Sequence, residues 1–260
     1  MDISIFTGYF GAIVIGVTLG LIGGGGSILT VPVLVYLMGV EPVLATAYSL
    51  FVVGFTSIIG TAQKYRVREV DTRTALLFVL PSLVSIFLTR RYFIPVIPDE
   101  VWGMEKGTLL MVFFSLIMLV AGLAMLRQKH GEAEPGKKKG HFGLVVLEGF
   151  FVGFLTGIVG AGGGFLIIPA LVLLGGLNMK VAVGTSLFII ALKSAIGFTG
   201  DLGAGQDIDW GFLLLFTGLS AVGIILGVFL SKKIDGNRLK KGFGYFVVVM
   251  AIFIAVKELL

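Results

Sequence analysis

Apolar residues run along this chain in long blocks separated by short polar stretches. The blocks fall at about 5–39, 43–62, 74–96, 105–126, 143–176, 181–199, 211–231 and 242–257. An α-helix needs about 20 apolar residues to cross a bilayer, and each unbroken block is near that length. The pattern therefore predicts an all-α polytopic membrane protein. The ten-residue alternation of a transmembrane barrel does not occur in the sequence. Two blocks, 5–39 and 143–176, are longer and are interrupted by glycine. Residues 20–32 read GLIGGGGSILTVP and residues 157–169 read GIVGAGGGFLIIP. One ungapped offset of 137 aligns 20–60 with 157–197, with 17 identities in 41 positions. Gly20/Gly157, Gly23/Gly160, Pro32/Pro169, Gly39/Gly176, Ser49/Ser186 and Gly60/Gly197 are among them. A duplicated half with a broken apolar segment at the same place in each copy points to the binding site of a secondary transporter.

Composition agrees with the pattern. Hydrophobic residues are 57% of the chain and charged residues 13%, against about 25% charged in soluble domains. The first block has no basic residue before it and runs into the repeat, so it is not read as a cleaved signal peptide. The chain has no Cys, which excludes disulfides, thiol catalysis and thiolate metal sites. The net charge of +5 does not point to nucleic acid, because the basic residues flank membrane blocks, where topology explains them.

Three stretches carry 14 of the 20 Lys and Arg residues: 63–73, 127–141 and 232–241. The positive-inside tendency assigns all three to the cytoplasm. That is consistent only if each broken block enters the membrane, turns at its glycines and returns to the side it came from. Each half then has one glycine-broken re-entrant helical hairpin plus three transmembrane helices, and the second half is inverted relative to the first. Arg90 and Arg91 on the outer side count against this arrangement, as does the length of 5–22 for one hairpin arm. Residues 1–126 form the N-terminal repeat, 127–141 a cytoplasmic linker (with His130 and His141) and 142–260 the C-terminal repeat. Trp102 and Trp210 fall at the expected outer interface as anchors.

The glycine breaks carry the first candidate chemistry. Non-helical backbone within a bilayer must be buried in protein or line a wet cavity. Gly23, Gly24, Gly25 and Gly26, and Gly160, Gly162, Gly163 and Gly164 in the second copy, permit close backbone approach. The helix that follows each break presents free N–H groups and partial positive charge, which suits an anion. Glycines also serve plain helix packing, but four in succession would destabilise a helix by about 1 kcal/mol each. A nucleotide loop is not supported, since GAGGGF at 160–165 lacks the last glycine of GxGxxG and follows no strand.

Lys193 is the second signal. It lies well inside block 181–199, where a lysine costs about 2.5–3.5 kcal/mol on insertion scales. It is a candidate ligand for an anion; the competing role is a structurally paired or snorkelling lysine. Its counterpart in the first half is Thr56. Ser27, Ser49, Thr56 and Ser57, with Thr185, Ser186 and Ser194, could donate to an oxyanion or bond their own helix backbone. Glu148 is a candidate coupling carboxylate for a proton or ion, or else an interfacial charge.

The doubled G-x-x-G-x-G-G-[SG] motif leading to Pro32 or Pro169 resembles the TauE/SafE family of sulfite exporters and toluene-sulfonate uptake permeases. ATAYSLF at 45–51 and AVGTSLF at 182–188 add to that resemblance, which covers essentially the whole chain. It implies ion-coupled transport of small sulfur-containing anions such as sulfite or organosulfonates, with no cofactor, across the cell (plasma or inner) membrane. The alternative is an anion channel or a transporter of another small anion. An intramembrane enzyme is disfavoured, because both His residues are in the linker and the blocks hold no pair of Asp residues. The oligomeric state is open, a homodimer included.

Overall fold

A computed structural model describes residues 3–93, 96, 98, 100–101, 104–127, 142–159, 164–202 and 208–259. The chain is helical almost throughout: α1 (Ile3–Ile22), α2 (Gly25–Pro32), α3 (Pro42–Arg66), α4 (Thr72–Leu88), α5 (Lys106–Arg127), α6 (Phe142–Val159), α7 (Gly164–Pro169), α8 (Met179–Leu202), α9 (Trp210–Lys233) and α10 (Gly236–Leu259). The α4–α5 connection holds a two-residue antiparallel pairing, Glu100–Val101 with Met104–Glu105. Linker residues 128–141 and Trp102 lie outside the described residues.

Each half repeats the same order of five helices. The short helices α2 and α7 both end on a proline and continue into a π-helical turn, Val33–Leu37 and Ala170–Leu174. Proline has no N–H to give, and the wider π turn accommodates the shifted hydrogen-bond register. The registers match across the halves. Val40 N–H donates to Leu34 O at 3.0 Å and Leu177 N–H to Leu171 O at 2.9 Å. Gly39 and Gly176 then reverse the chain at φ of 67° and 66°, left-handed values that glycine adopts without strain.

The first glycine break produces a hairpin. Gly23 turns at φ 78°, and α2 with its π turn runs back along α1. Gly26 lies against Ile15 and Leu19, Gly11 against Val33, and Gly8 against Met38. In the second half the π turn Ala170–Leu174 likewise packs on α6.

Helix pairing is exchanged into itself when the halves are swapped. Helix α1 packs on α9 as α6 packs on α4, and α3 packs on α9 as α8 packs on α4. The equivalent helices α3 and α8 pack on each other, as do α5 and α10. Residues 50, 54 and 60 of α3 meet 197, 194 and 187 of α8, so these two equivalent helices run antiparallel. An approximate two-fold axis therefore crosses them near residues 56 and 193.

Small residues make the closest contacts. Gly16 and Gly20 of α1 face Gly223 and Gly227 of α9, and a methyl at Gly20 would come within 2.6 Å of Ile224 O. Gly149 and Gly153 of α6 lie against the backbone of Phe78 and Ser82 of α4. Four-residue spacing puts each glycine pair on one helix face, where backbones can approach.

Large apolar side chains remain exposed on the outside, for example Leu76, Leu80, Val84 and Phe87 along one stripe of α4. A surface of that kind is suited to lipid, since soluble monomers rarely expose apolar patches above a few hundred Å². Among the described residues four helices are long and apolar enough to span a membrane: Leu44–Arg66, Met179–Thr199, Trp210–Lys233 and Gly236–Lys257. The basic stretch 232–241 is largely helical, because α9 continues through Lys233 and α10 starts at Gly236. Lysines are good helix formers, and hydropathy marks where the bilayer ends, not where the helix does.

Candidate functional site

The helix starts that follow the two breaks meet. A methyl placed on Gly164, at the start of α7, would lie 2.8 Å from Ser27 Oγ and 2.9 Å from Ile190 Cδ1. One on Gly23 would lie 2.5 Å from Ser186 Oγ and 3.0 Å from Ile168 Cδ1. Positions 27 and 164 are equivalent in the repeat, so the approximate two-fold axis passes between them. The Ser27–Gly164 contact and the α3–α8 crossing thus lie on one axis.

Helix α8 supplies one wall. Val183, Ser186, Ile190 and Lys193 are spaced three or four residues apart and share a face; its upper part touches Gly23 and Gly164. Lys193 is buried, at 7% exposure, and Ser194 beside it packs on Gly54 of α3. Thr56 and Ser57 of α3 are fully buried. Thr56 Oγ1 donates to Val52 O at 2.6 Å, while Ser57 Oγ has no hydrogen-bond partner in the protein. Ser27 Oγ donates to Gly24 O at 2.7 Å, and Ser186 Oγ to Val183 O at 2.9 Å. These bonds use the hydroxyl protons and leave oxygen lone pairs, so any donation to an anion requires the hydroxyl to rotate. Ser49 is buried on α3.

Of the residues singled out in the sequence, Gly23, Ser27, Gly164 and Ser186 come together at the tips. Ser194 joins α8 to α3 at Gly54, one residue from Lys193. Gly24 precedes α2 and donates its N–H to Ile22 O; Gly25 opens that helix. Gly160, Gly162 and Gly163 lie outside the described residues. Thr185 is engaged elsewhere: its Oγ1 accepts the backbone N–H of Asp71 at 3.0 Å. Glu148 is buried on α6, away from the tips. Among the described residues no group of three His, Cys, Asp or Glu is arranged to hold a metal.

Sequence reasoning overlooked two fastenings. Tyr48 Oη accepts the backbone N–H of Asp209 at 2.7 Å. Tyr48 is the repeat equivalent of Thr185, and Asp209 corresponds to Asp71, so the two bonds are related by the axis. Lys64, which enters the sequence argument only as a topology charge, is 1% exposed. Its Nζ lies 2.6 Å from Glu69 Oε2 and 3.0 Å from Ser231 Oγ of α9. Hydroxyl-bearing side chains at matched positions 48 and 185 were the signal available for the first pair. Nothing local in the sequence marks the second.

Comparison with known proteins agrees with this architecture. The family description "Sulfite exporter TauE/SafE" matches residues 9–254. A probable membrane transporter protein of Xylella fastidiosa is 29% identical over 252 residues, covering 92% of this chain and 90% of the relative. The probable membrane transporter protein YunE of Bacillus subtilis is 28% identical over 245 residues, covering 86% and 87%. The probable membrane transporter protein MJ0441 of Methanocaldococcus jannaschii is 27% identical over 259 residues, covering 92% and 91%. No solved structure matches. A duplicated, lipid-faced helical chain whose glycine breaks converge on one buried axis is thus a multi-pass membrane transporter, not an enzyme, and it belongs to the TauE/SafE sulfite exporter family.

Proposed function

We propose that the chain is a secondary transporter of a small sulfur-containing anion, sulfite or an organosulfonate, bound where the hairpin tips approach the α3–α8 crossing. The observation that carries the reading is the convergence of both glycine breaks, Ser27 on Gly164 and Gly23 beside Ser186, on the α8 face that bears Lys193. Lys193 supplies positive charge in an interior where attraction is stronger than in water. The hydroxyl of Ser57, and those of Ser27 and Ser186 once rotated from their own backbone, would supply directed donors. The family name supports the sulfur chemistry. The antiparallel course of α3 and α8 supports halves of opposite orientation in the bilayer, with all three basic stretches cytoplasmic. Rocking of one half against the other would then open the axis to each side in turn.

The test is stabilisation of the purified protein by sulfite, thiosulfate, sulfoacetate, sulfate, phosphate and chloride. An anion at 100 times its Kd stabilises by about 2.7 kcal/mol. The expected result is a rise in Tm with sulfite or the sulfonate that Lys193→Met removes while leaving the anion-free Tm intact. A flat response to every anion, or an unchanged response in Lys193→Met, overturns the substrate class or the site respectively. Saturable exchange of labelled sulfite in vesicles, as opposed to steady conductance, separates a transporter from a channel.

A further inference from the structure

We propose that Glu148 is the proton site of the transport cycle, gaining a proton in one orientation of the second hairpin and losing it in the other. This rests on the transporter reading above and adds the coupling ion to it. Glu148 sits on the buried face of α6 together with Val145, Val152 and Leu155, all below 9% exposed. Its Oε2 accepts no hydrogen bond from the described residues. A carboxylate taken out of water without donors or a cation is costly, whereas a carboxylic acid is far less so. The group therefore has a reason to exchange its proton with water as the hairpin moves, the O–H bond forming from water on one side and breaking to water on the other.

The repeat sets Glu148 against a different residue in the first half. The equivalent of Glu148 in the first half is Gly11, and Gly11 is filled from across the hairpin by Val33, which would lie 2.9 Å from an added methyl. The equivalent of Val33 is Ala170. The first hairpin thus pairs glycine with valine, and the equivalent positions of the second hold glutamate and alanine. A neighbouring position repeats the exchange: Gly8 lies against Met38, and their equivalents are Val145 and Gly175. The returning arm of the second hairpin has given up bulk where the first arm gained it, and at residue 148 the gain is a titratable group.

The charged groups on the elements packed against α6 are few. Helix α4 runs parallel to α6, with Phe78 beside Gly149 and Ser82 beside Gly153. Its charges, Asp71 and Arg73, lie at its N-terminal end, where Asp71 accepts from Thr74 N–H at 3.0 Å. Arg90, Arg91 and Tyr92 belong to the segment Thr89–Phe93, which also packs on α6, where Phe93 meets Phe154, six residues past Glu148. Helix α5 carries Lys106 and Arg127 at its two termini, and Ala170–Leu174 carries none. No charge occurs in the stretch Ala75–Leu88 that faces α6.

The experiment uses the full chain in vesicles with an internal pH dye and each labelled anion of the panel above. Wild-type protein is expected to move protons with the anion, and Glu148→Gln to keep anion exchange at equal pH while gradient-driven uptake and the dye signal fall about tenfold or more. Glu148→Asp is expected to restore both. Proton movement in Glu148→Gln equal to wild type overturns the inference and leaves the transporter reading intact, as does wild-type exchange without any proton movement. No exchange by the wild type with any anion overturns the transporter reading, and the inference falls with it. If Glu148→Gln does not fold, infrared difference spectra of the wild type on sulfite addition decide. A carboxylic-acid band that changes supports Glu148, and an unchanged one overturns it.

Discussion

At one end of the α3–α8 pair, Tyr48 Oη accepts the N–H of Asp209; at the other, Thr185 Oγ1 accepts the N–H of Asp71. Both aspartates also cap the helix that follows, Asp209 through Phe212 N–H and Asp71 through Thr74 N–H, each at 3.0 Å. The plan is the same and the surroundings differ. Around Tyr48 gather rings: Phe212 at 5.8 Å between centroids, with Phe51, Phe198 and Trp210 beyond it in mutual edge or tilted contact. Around Thr185 there is the ion pair of Lys64 and Glu69, held to Ser231 of α9. Rings can part in lipid or at its interface without exposing a charge. A buried ammonium cannot part from its carboxylate unless water reaches it. The aromatic end is thus fastened by shape and the ionic end by charge.

The comparison can be broken most severely at Glu69. Glu69→Gln leaves Lys64 enclosed without its counter-charge and is expected to destabilise the protein by about 3 kcal/mol. Thermal unfolding in detergent measures this, and Lys64→Met added to it should recover part of the loss. A Tm equal to wild type would mean the pair fastens nothing. Next comes Gly184→Ala. A methyl there meets Glu69 O and lies 3.2 Å from Lys64 Cβ, and overpacking of this kind costs about 1–3 kcal/mol. The equivalent residue at the aromatic end is Ala47, already buried at 1%, so Ala47→Gly should cost only about 1 kcal/mol, chiefly through helix propensity. Equal losses from the two changes would mean that the ends are packed alike. The smallest effects belong to the paired hydrogen bonds themselves: Tyr48→Phe and Thr185→Val should each cost about 1 kcal/mol. Added salt should weaken the ionic end of the protein more than the aromatic end, read as a difference between these two variants.

The glycine breaks, the existence of the long helices and the repeat were legible in the sequence because each is written locally, as a run of apolar residues or a doubled motif; the helix ends were not, since α10 starts at Gly236 and α4 stops at Leu88. The π turns after Pro32 and Pro169 were not, since a one-residue change in hydrogen-bond register leaves hydropathy untouched. Thr185 illustrates the limit at the site. Its type and position suggested a ligand hydroxyl, but the bond it makes is to Asp71, 114 residues away. Lys64 illustrates the converse. A lysine at the end of an apolar block reads as a charge at the membrane surface, and only the arrival of α9 encloses it. Burial is decided by the third dimension, and local patterns report it only when they repeat along a single face.

The axis through positions 56 and 193 also bears on ancestry. Two separate copies of one half, assembled about such an axis, would bring identical residues to the crossing. A lysine there would confront a second lysine, ammonium against ammonium in a medium that screens poorly. Once the copies are joined in one chain the positions drift independently, and one can keep a hydroxyl while the other acquires a charge. A lysine on the axis is thus a feature that two identical halves could not share without opposing like charges.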